Sequence, residues 1–485
     1  MVEGFVRSTL ITEAPSNEVF SWHTREGAFE RLNPPWQRFT VIQRKGSIQT
    51  NGVVQIRTKI GPIPFKWVVK HSDYVDGKQF RDIQVSGAFS SWTHTHLFTS
   101  IGSFCILEDR IEYSLHGGQI VNTIARRVVN KRLNQMFAYR HRLTREDLRT
   151  HADVNKIRGS SRPLTIAITG SSGFIGSSLI PFLTTGGHRV IRLVRKGEGE
   201  DSESTQSVKF IKWNSSSATA DADLTSLSDN ENIHAVINLA GENIFGRWTK
   251  EKKKRIFDSR VNTTKSLCRT VSSLNNRPKV LVSASATGYY GDRGNETLTE
   301  DNHAAGLSSS SSINFLSDVC RNWEESTQIA KESGIRVVNI RIGTVLSASG
   351  GILAKIIPSF KMGFGGKIGR GNQYMSWIAI DDLLGIILHS IADESVTGPI
   401  NAVSPNPVTN AYFTWMLGKV LSRPTIFSLP RFIVKAALGD ELGNASILSS
   451  TRVVPTRALK IGYQFRFPSL ELALNHTLGK STYNK

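Results

Sequence analysis

At 485 residues the chain exceeds what one hydrophobic core ordinarily supports, so two or three domains are expected. Its 39% hydrophobic and 8% aromatic content excludes general disorder, and no apolar run approaches the roughly 18 residues of a membrane span. The formal net charge of +20 invites a nucleic-acid reading, but the basic residues are spread along the chain, so attraction of anionic substrates or cofactors is expected instead.

The first stretch, MVEGFVRSTLITEAP, lacks the basic-then-apolar layout of a signal peptide, which leaves a cytoplasmic address. Residues 1–148 read as one domain: an early helix over 16–29, antiparallel strands including 53–60 and 65–69, and a long amphipathic helix over 122–148. His94 and His96 alternate on a strand and face one side, but with no third ligand or carboxylate nearby in sequence they read as a hydrogen-bonded pair or polar rim, and no metal is assigned. The basic run from Arg126 to Arg142 sits on helical apolar spacing, which makes it a solvated helix face. Residues 149–163, without apolar period, read as a linker. The cysteines, Cys105, Cys268 and Cys320, are too far apart for a zinc or disulfide framework and are expected as buried thiols.

From residue 164 onward, apolar β-branched runs at 190–194, 235–239, 280–284 and 337–342 alternate with stretches long enough for crossover helices. That is the signature of an α/β domain with a doubly wound parallel sheet, extending over 164–485. A second basic run, Lys250 to Arg255, again reads as a solvated helix face, and the serines at 308–312 read as a loop. Beyond about residue 350 the alternation gives way to glycine-rich loops and helices, as in a small C-terminal lobe.

The first strand of this domain runs into ITGSSGFIG, where Gly170, Ser171, Ser172, Gly173, Phe174, Ile175 and Gly176 form a tight turn opening a helix. Such a turn lets backbone N–H groups and a helix N-terminus meet a pyrophosphate. Pro181 falls inside the expected helix and removes one of its hydrogen bonds. The second strand ends at Arg195 and Lys196, where an NAD enzyme would place an acid for the ribose 2′-hydroxyl. A basic pair suits the 2′-phosphate of NADP, the alternative being an ordinary exposed loop. Leu239, Ala240, Gly241 and Glu242 end the next strand with mostly small residues where a cofactor would cross the sheet edge.

The motifs ITGSSGFIG, NLAGENI, SASATGYYG and RIGTVL resemble the extended short-chain dehydrogenase/reductases. RWTKEKKKRIFDSRVNTT, FLSDVCRNWE, GGKIGRGNQYMSWIAIDDL and NAVSPNPVTN are similar to their atypical YfcH-like epimerase branch, some members of which carry a cell-division label. The resemblance runs from about Leu164 to the C-terminus and implies a Rossmann-type domain binding NADP. Residues 1–148 resemble the SRPBCC or START-like helix-grip domains, through 29–36, 92–96 and 107–113. That resemblance implies an apolar cavity for a lipid-like ligand.

The family chemistry implies a Ser or Thr that polarises a carbonyl and a Tyr-x-x-x-Lys pair that protonates it. Ser285 supplies the hydroxyl, but the helix expected to carry the pair offers only Phe315/Val319 and Leu316/Cys320; Tyr289 and Tyr290 are the nearest phenols, with Tyr290 taken as the one to serve and packing at the turn before Gly291 as the alternative. Arg341 is placed at the cofactor edge, with a structural ion pair as the alternative. Lys367, Arg370 and Gln373 lie in a loop that the resemblance turns toward substrate, the alternative being a solvated loop. Asp381 or Asp382 reads as the cap of the following helix. Together these residues favour an NADP-dependent oxidoreductase or epimerase-like enzyme, against a non-catalytic NADP-binding sensor, with no nucleic-acid partner expected.

Overall fold

The computed structural model describes residues 2–37, 39–60, 63–116, 119–195, 204–213, 232–304 and 315–480. Lys196 and the serines at 308–312 lie outside them. No helix among the described residues is long and apolar enough to cross a membrane. The chain divides into two compact units, one of Met1–Asp153, Thr184–Gly187 and Asn475–Lys485, the other of Val154–Leu183 and His188–Leu474.

In the first unit, strands β1 (Glu3–Ile11), β2 (Thr40–Lys45), β3 (Val53–Ile60), β4 (Ile63–Val75), β5 (Gln79–Ser86), β6 (Ser91–Ile101) and β7 (Phe104–Ser114) form an antiparallel sheet in the order β1-β7-β6-β5-β4-β3-β2. Period-two alternation sets its inner face: along β7, Cys105, Leu107, Asp109, Ile111 and Tyr113 are buried, while Arg110 and Glu112 face out. The single early helix expected over 16–29 is broken into α1 (Ser16–Thr24) and α2 (Ala28–Leu32), because Gly27 adopts φ 91° between them. Helix α3 (Gln119–Arg158) is 40 residues long and takes in most of the segment read as a linker. It has reason to continue: no glycine or proline interrupts it before Gly159, which turns it off at φ 61°, and Val154 within the added turns is 1% exposed. Two apolar clusters fill this unit, one around Phe20, Trp22, Phe98 and Leu107, the other around Phe5, Trp92, Ile111 and Phe137.

The second unit holds a seven-stranded sheet built from β8 (Thr165–Thr169), β9 (Arg189–Val194), β10 (Val208–Lys212), β11 (Ala235–Asn238), β12 (Val280–Ala286), β14 (Arg336–Ile342) and the strand Gly398–Ala402; β13 (Thr297–Leu298) pairs elsewhere. The order is β10-β9-β8-β11-β12-β14 followed by Gly398–Ala402, with every neighbouring pair parallel. Both faces are covered, as a parallel sheet requires. Leu179 and Phe182 of α4 (Phe174–Thr185), with Leu383 to Leu388 of the helix Ile380–Ala392, seal one side; Leu267 and Val271 of the helix Val261–Ser272 seal the other. This is a Rossmann-like doubly wound sheet. Its winding reverses between β8 and β11, and at such a switch point the strands' carboxyl ends leave a crevice for ligands. Pro181 is tolerated within α4, which continues to Thr185.

Candidate functional site

The crevice at the switch point is lined by Thr169, Gly170, Ser171, Ser172 and Gly173 after β8, Leu193, Val194 and Arg195 at the end of β9, Trp213, Leu239 to Glu242 after β11, and Thr263. Its floor is fixed by a buried hydrogen-bond chain. Thr169 Oγ1 donates to Asn238 Oδ1 at 2.7 Å, and Asn238 Nδ2 donates to Thr264 Oγ1 at 2.8 Å and to Ser283 Oγ at 3.2 Å, tying the ends of β8 and β11 to the middle of β12.

The glycines have separable duties. Gly170 has φ 65°, and a Cβ there would stand 2.5 Å from the Leu239 carbonyl oxygen. At Gly176 a Cβ would meet the Gly170 carbonyl oxygen at 2.5 Å, so that residue lets α4 seat directly on the turn. Gly173 meets only the Gly170 carbonyl oxygen, at 3.2 Å, and lines the crevice just before α4 begins. The first-turn amides of α4 have no carbonyl within their own helix, which makes the turn a ready anion cradle. Phe174, Ile175 and Gly176 shape α4 rather than line the crevice.

Charge is arranged around this cradle. Arg195 lies on the rim, and Arg192, which the sequence reading passed over as a strand residue, donates through Nε to Ser171 Oγ at 3.1 Å with its guanidinium 4.8 Å from the Phe210 ring centroid. Glu242 accepts from Lys252 Nζ at 2.6 Å, and that bond, with help from Arg255 and Arg195, holds its carboxyl below the ordinary range. The loop after β11 is fastened by Ser259 Oγ, which accepts from Glu242 N at 2.9 Å, and by Arg260 Nη1, which donates to the Glu242 carbonyl at 3.0 Å. Lys252 thus braces a crevice residue, with its side chain only 13% exposed, while Lys250, Lys254 and Arg255 of the same run are exposed.

The residues expected to do chemistry are placed differently. Arg341 is 3% exposed and grips Glu324 through two bonds, Nε to Oε1 and Nη2 to Oε2, both 2.9 Å. It is not among the residues lining the crevice, and the ion pair that the sequence offered as the alternative is formed. Ser285 Oγ donates to the same Glu324 Oε1 at 2.7 Å. Tyr290 is fully buried; it accepts from Arg341 Nη1 at 2.9 Å and donates to Asn401 Oδ1 at 2.8 Å. Burial pushes its phenol up to about 12, against the pull of Arg341, so it is held as a neutral core group rather than poised as an acid. The Tyr-x-x-x-Lys positions are occupied by packing, with Leu316 and Cys320 set against Gly288.

Lys367 is exposed on the strand Gly366–Ile368, which pairs with Phe427–Leu429, and Arg370 is exposed at the turn beyond it. Gln373 is buried, donates to the Ile368 carbonyl at 3.4 Å, and leaves Oε1 with no hydrogen-bond partner among the described residues. Asp382 does not cap its own helix. Its carboxylate accepts from Arg466 N at 2.7 Å and Phe467 N at 3.1 Å, fastening the segment 466–467.

Residues 166–402 match the model of the NAD dependent epimerase/dehydratase family, and residues 429–477 match a domain of unknown function, DUF1731. An epimerase family protein of Mycobacterium leprae is 35% identical over 326 residues, covering 67% of this chain and 99% of that protein. A crystal structure described as a nucleoside-diphosphate sugar epimerase from Corynebacterium glutamicum is similar over 98% of this chain and 90% of its own, with 32% identity and TM-score 0.74. The human epimerase family protein SDR39U1, crystallised with NADPH, covers 65% of this chain and 99% of its own, with 30% identity and TM-score 0.57.

Proposed function

This chain belongs to the epimerase family, and from that premise we propose that it binds NADP(H) at the glycine turn and interconverts a hydroxyl and a carbonyl on a small-molecule substrate, as an epimerase or oxidoreductase. The observation that carries the reading is the joining, in one crevice, of a turn that admits no side chain at Gly170 with a cation at Arg195 where the second strand ends. Gly170, Ser171, Ser172 and Gly173 would hold the diphosphate, Arg195 with Arg192 behind it would hold the 2′-phosphate, and Leu239 to Gly241 would pass the ring system across the sheet edge. Bound there, a nicotinamide supplies reversible hydride transfer. The chain's own part is to orient, exclude water and stabilise charge on the substrate oxygen. Ser285 can serve that oxygen only when its hydroxyl leaves Glu324. Lys367 and Arg370 are proposed for the substrate side.

A second reading, a non-catalytic NADP(H) sensor, is favoured by one observation: Ser285 and Tyr290 both spend their protons on protein acceptors, Glu324 and Asn401. For the first unit we keep the helix-grip reading, supported by its order of strand, two short helices, six strands and a long helix.

Calorimetry on the full chain tests the shared premise. NADPH is expected to bind at least tenfold more tightly than NADH, and an absence of heat with NADPH at millimolar concentration would overturn it. NADPH carrying deuterium at C4 then separates the two readings, because label passing to any member of a carbonyl library marks an enzyme.

A further inference from the structure

The inner face of the first unit's sheet carries a polar ladder between its two apolar clusters. Asp82 on β5 stands directly across from His71 on β4 and His94 on β6, and His96 stands across from Asp109 on β7. The carboxylates missing near His94 and His96 in the sequence therefore come from neighbouring strands. His94 and His96 are 5% and 6% exposed and Asp109 3%, while the Asp82 side chain keeps 21% exposure.

The orientation of the rings is specific. His94 Nε2 and His96 Nδ1 both lie 2.7 Å from Asp109 Oδ1, so one carboxylate oxygen takes the rear nitrogen of each imidazole. The approach at His96 Nδ1 is short but out of line for a hydrogen bond. The other nitrogens, His94 Nδ1 and His96 Nε2, face Asp82 Oδ2 at 3.9 and 3.6 Å. Those separations are too long for hydrogen bonds. They suit ligands sharing one ion: metal–ligand bonds of about 2.1 Å in a tetrahedron set the ligands roughly 3.4 Å apart. Behind the front three, His71 Nδ1 lies 2.6 Å from Asp82 Oδ1 and His141 Nε2 lies 2.6 Å from Asp109 Oδ2. Carboxylates that back metal-bound histidines, and partners that orient the carboxylates, are the usual outer shell of a metal centre.

We propose that Asp82, His94 and His96 bind one divalent transition-metal ion, with Asp109 as the outer-shell carboxylate behind both rings, hydrogen-bonded to His94. Burying these imidazoles and carboxylates among aromatic side chains is costly without a compensating charge, and a dication supplies it. Two nitrogens and one carboxylate fill three positions of a tetrahedron, and the part-exposed Asp82 is the side from which a further oxygen donor could complete it.

The test uses the full-length chain stripped of metal with a chelator and titrated with Zn2+, followed by calorimetry and by metal analysis after desalting. Wild type is expected to retain about one equivalent. Asp82→Asn, partly exposed and equal in volume, is expected to lose at least about 100-fold in affinity, and Asp109→Asn about 10- to 100-fold. Co2+ in place of Zn2+ should give visible d–d absorption in wild type that Asp82→Asn lacks. Retention of less than a tenth of an equivalent by wild type at micromolar free Zn2+, or unchanged binding by Asp82→Asn, overturns the proposal. Should Asp82→Asn misfold, His96→Gln takes its place with the same expectations. NADPH binding is independent of this result, so the two fail separately.

Discussion

Arg341 and Glu324 form a buried two-point ion pair whose carboxylate also receives the Ser285 hydroxyl. Removing one partner of such a pair strands the other charge, which typically costs about 3–5 kcal/mol. Arg341→Ala should therefore lower the unfolding free energy, measured by denaturant titration, by that order while leaving NADPH affinity within about twofold. Loss of NADPH binding at unchanged stability would return Arg341 to the cofactor's edge.

Two glycines of the turn, Gly170 and Gly173, should separate stability from binding. Gly170→Ala introduces a Cβ 2.5 Å from a carbonyl oxygen at positive φ, so both the melting temperature and NADPH affinity should fall, the latter at least tenfold. Gly173→Ala meets one oxygen at 3.2 Å and should melt close to wild type, yet bind NADPH more weakly, because its methyl would intrude into the proposed diphosphate site. Calorimetry and thermal melting on both variants check the pair.

Arg195 should decide between the two dinucleotides. Arg195→Glu replaces the cation proposed to hold the 2′-phosphate with a group able to accept from a ribose hydroxyl, so the NADPH-to-NADH affinity ratio should drop by about 10- to 100-fold. An unchanged ratio would place the discrimination elsewhere.

Asp382 predicts a pH dependence. Burial raises its carboxyl to about 6, against the pull of the amides and charge around Arg466. The folded state therefore holds this proton more tightly than the unfolded chain, so the stability it contributes is full below about 4 and is lost as pH rises through 6. Asp382→Asn should flatten the stability profile between pH 4 and 6 by an amount on the order of 2–3 kcal/mol, read from denaturant midpoints across that range.

The sequence made some of this legible and hid the rest for physical reasons. Strands β8, β9, β11, β12 and β14 announce themselves because a strand buried on both faces must be continuously apolar. The strands Val208–Lys212 and Gly398–Ala402 lie at the two edges of the sheet, where that demand relaxes, and the latter begins with Gly and Pro. The glycine turn was readable because its constraint is local. Arg341, Glu324, Tyr290 and Asn401 were not, since their partners come from residues 17 to 111 positions away. The same holds for Asp82 and Asp109, which only cross-strand register brings to His94 and His96.

The assignment of Thr184–Gly187 and Asn475–Lys485 to the first unit has a consequence for biogenesis. Tyr139 stacks on His476 with ring centroids 4.7 Å apart, and a Cβ at Gly479 would collide with Trp36 at 2.5 Å. The amino-terminal unit thus completes its packing around Trp36 and Tyr139 only with residues that leave the ribosome after the whole parallel-sheet region. Nascent chains halted before residue 475 should leave Trp36 and Tyr139 uncovered, and a protease challenge during translation should cleave near Trp36 more readily than in the finished chain.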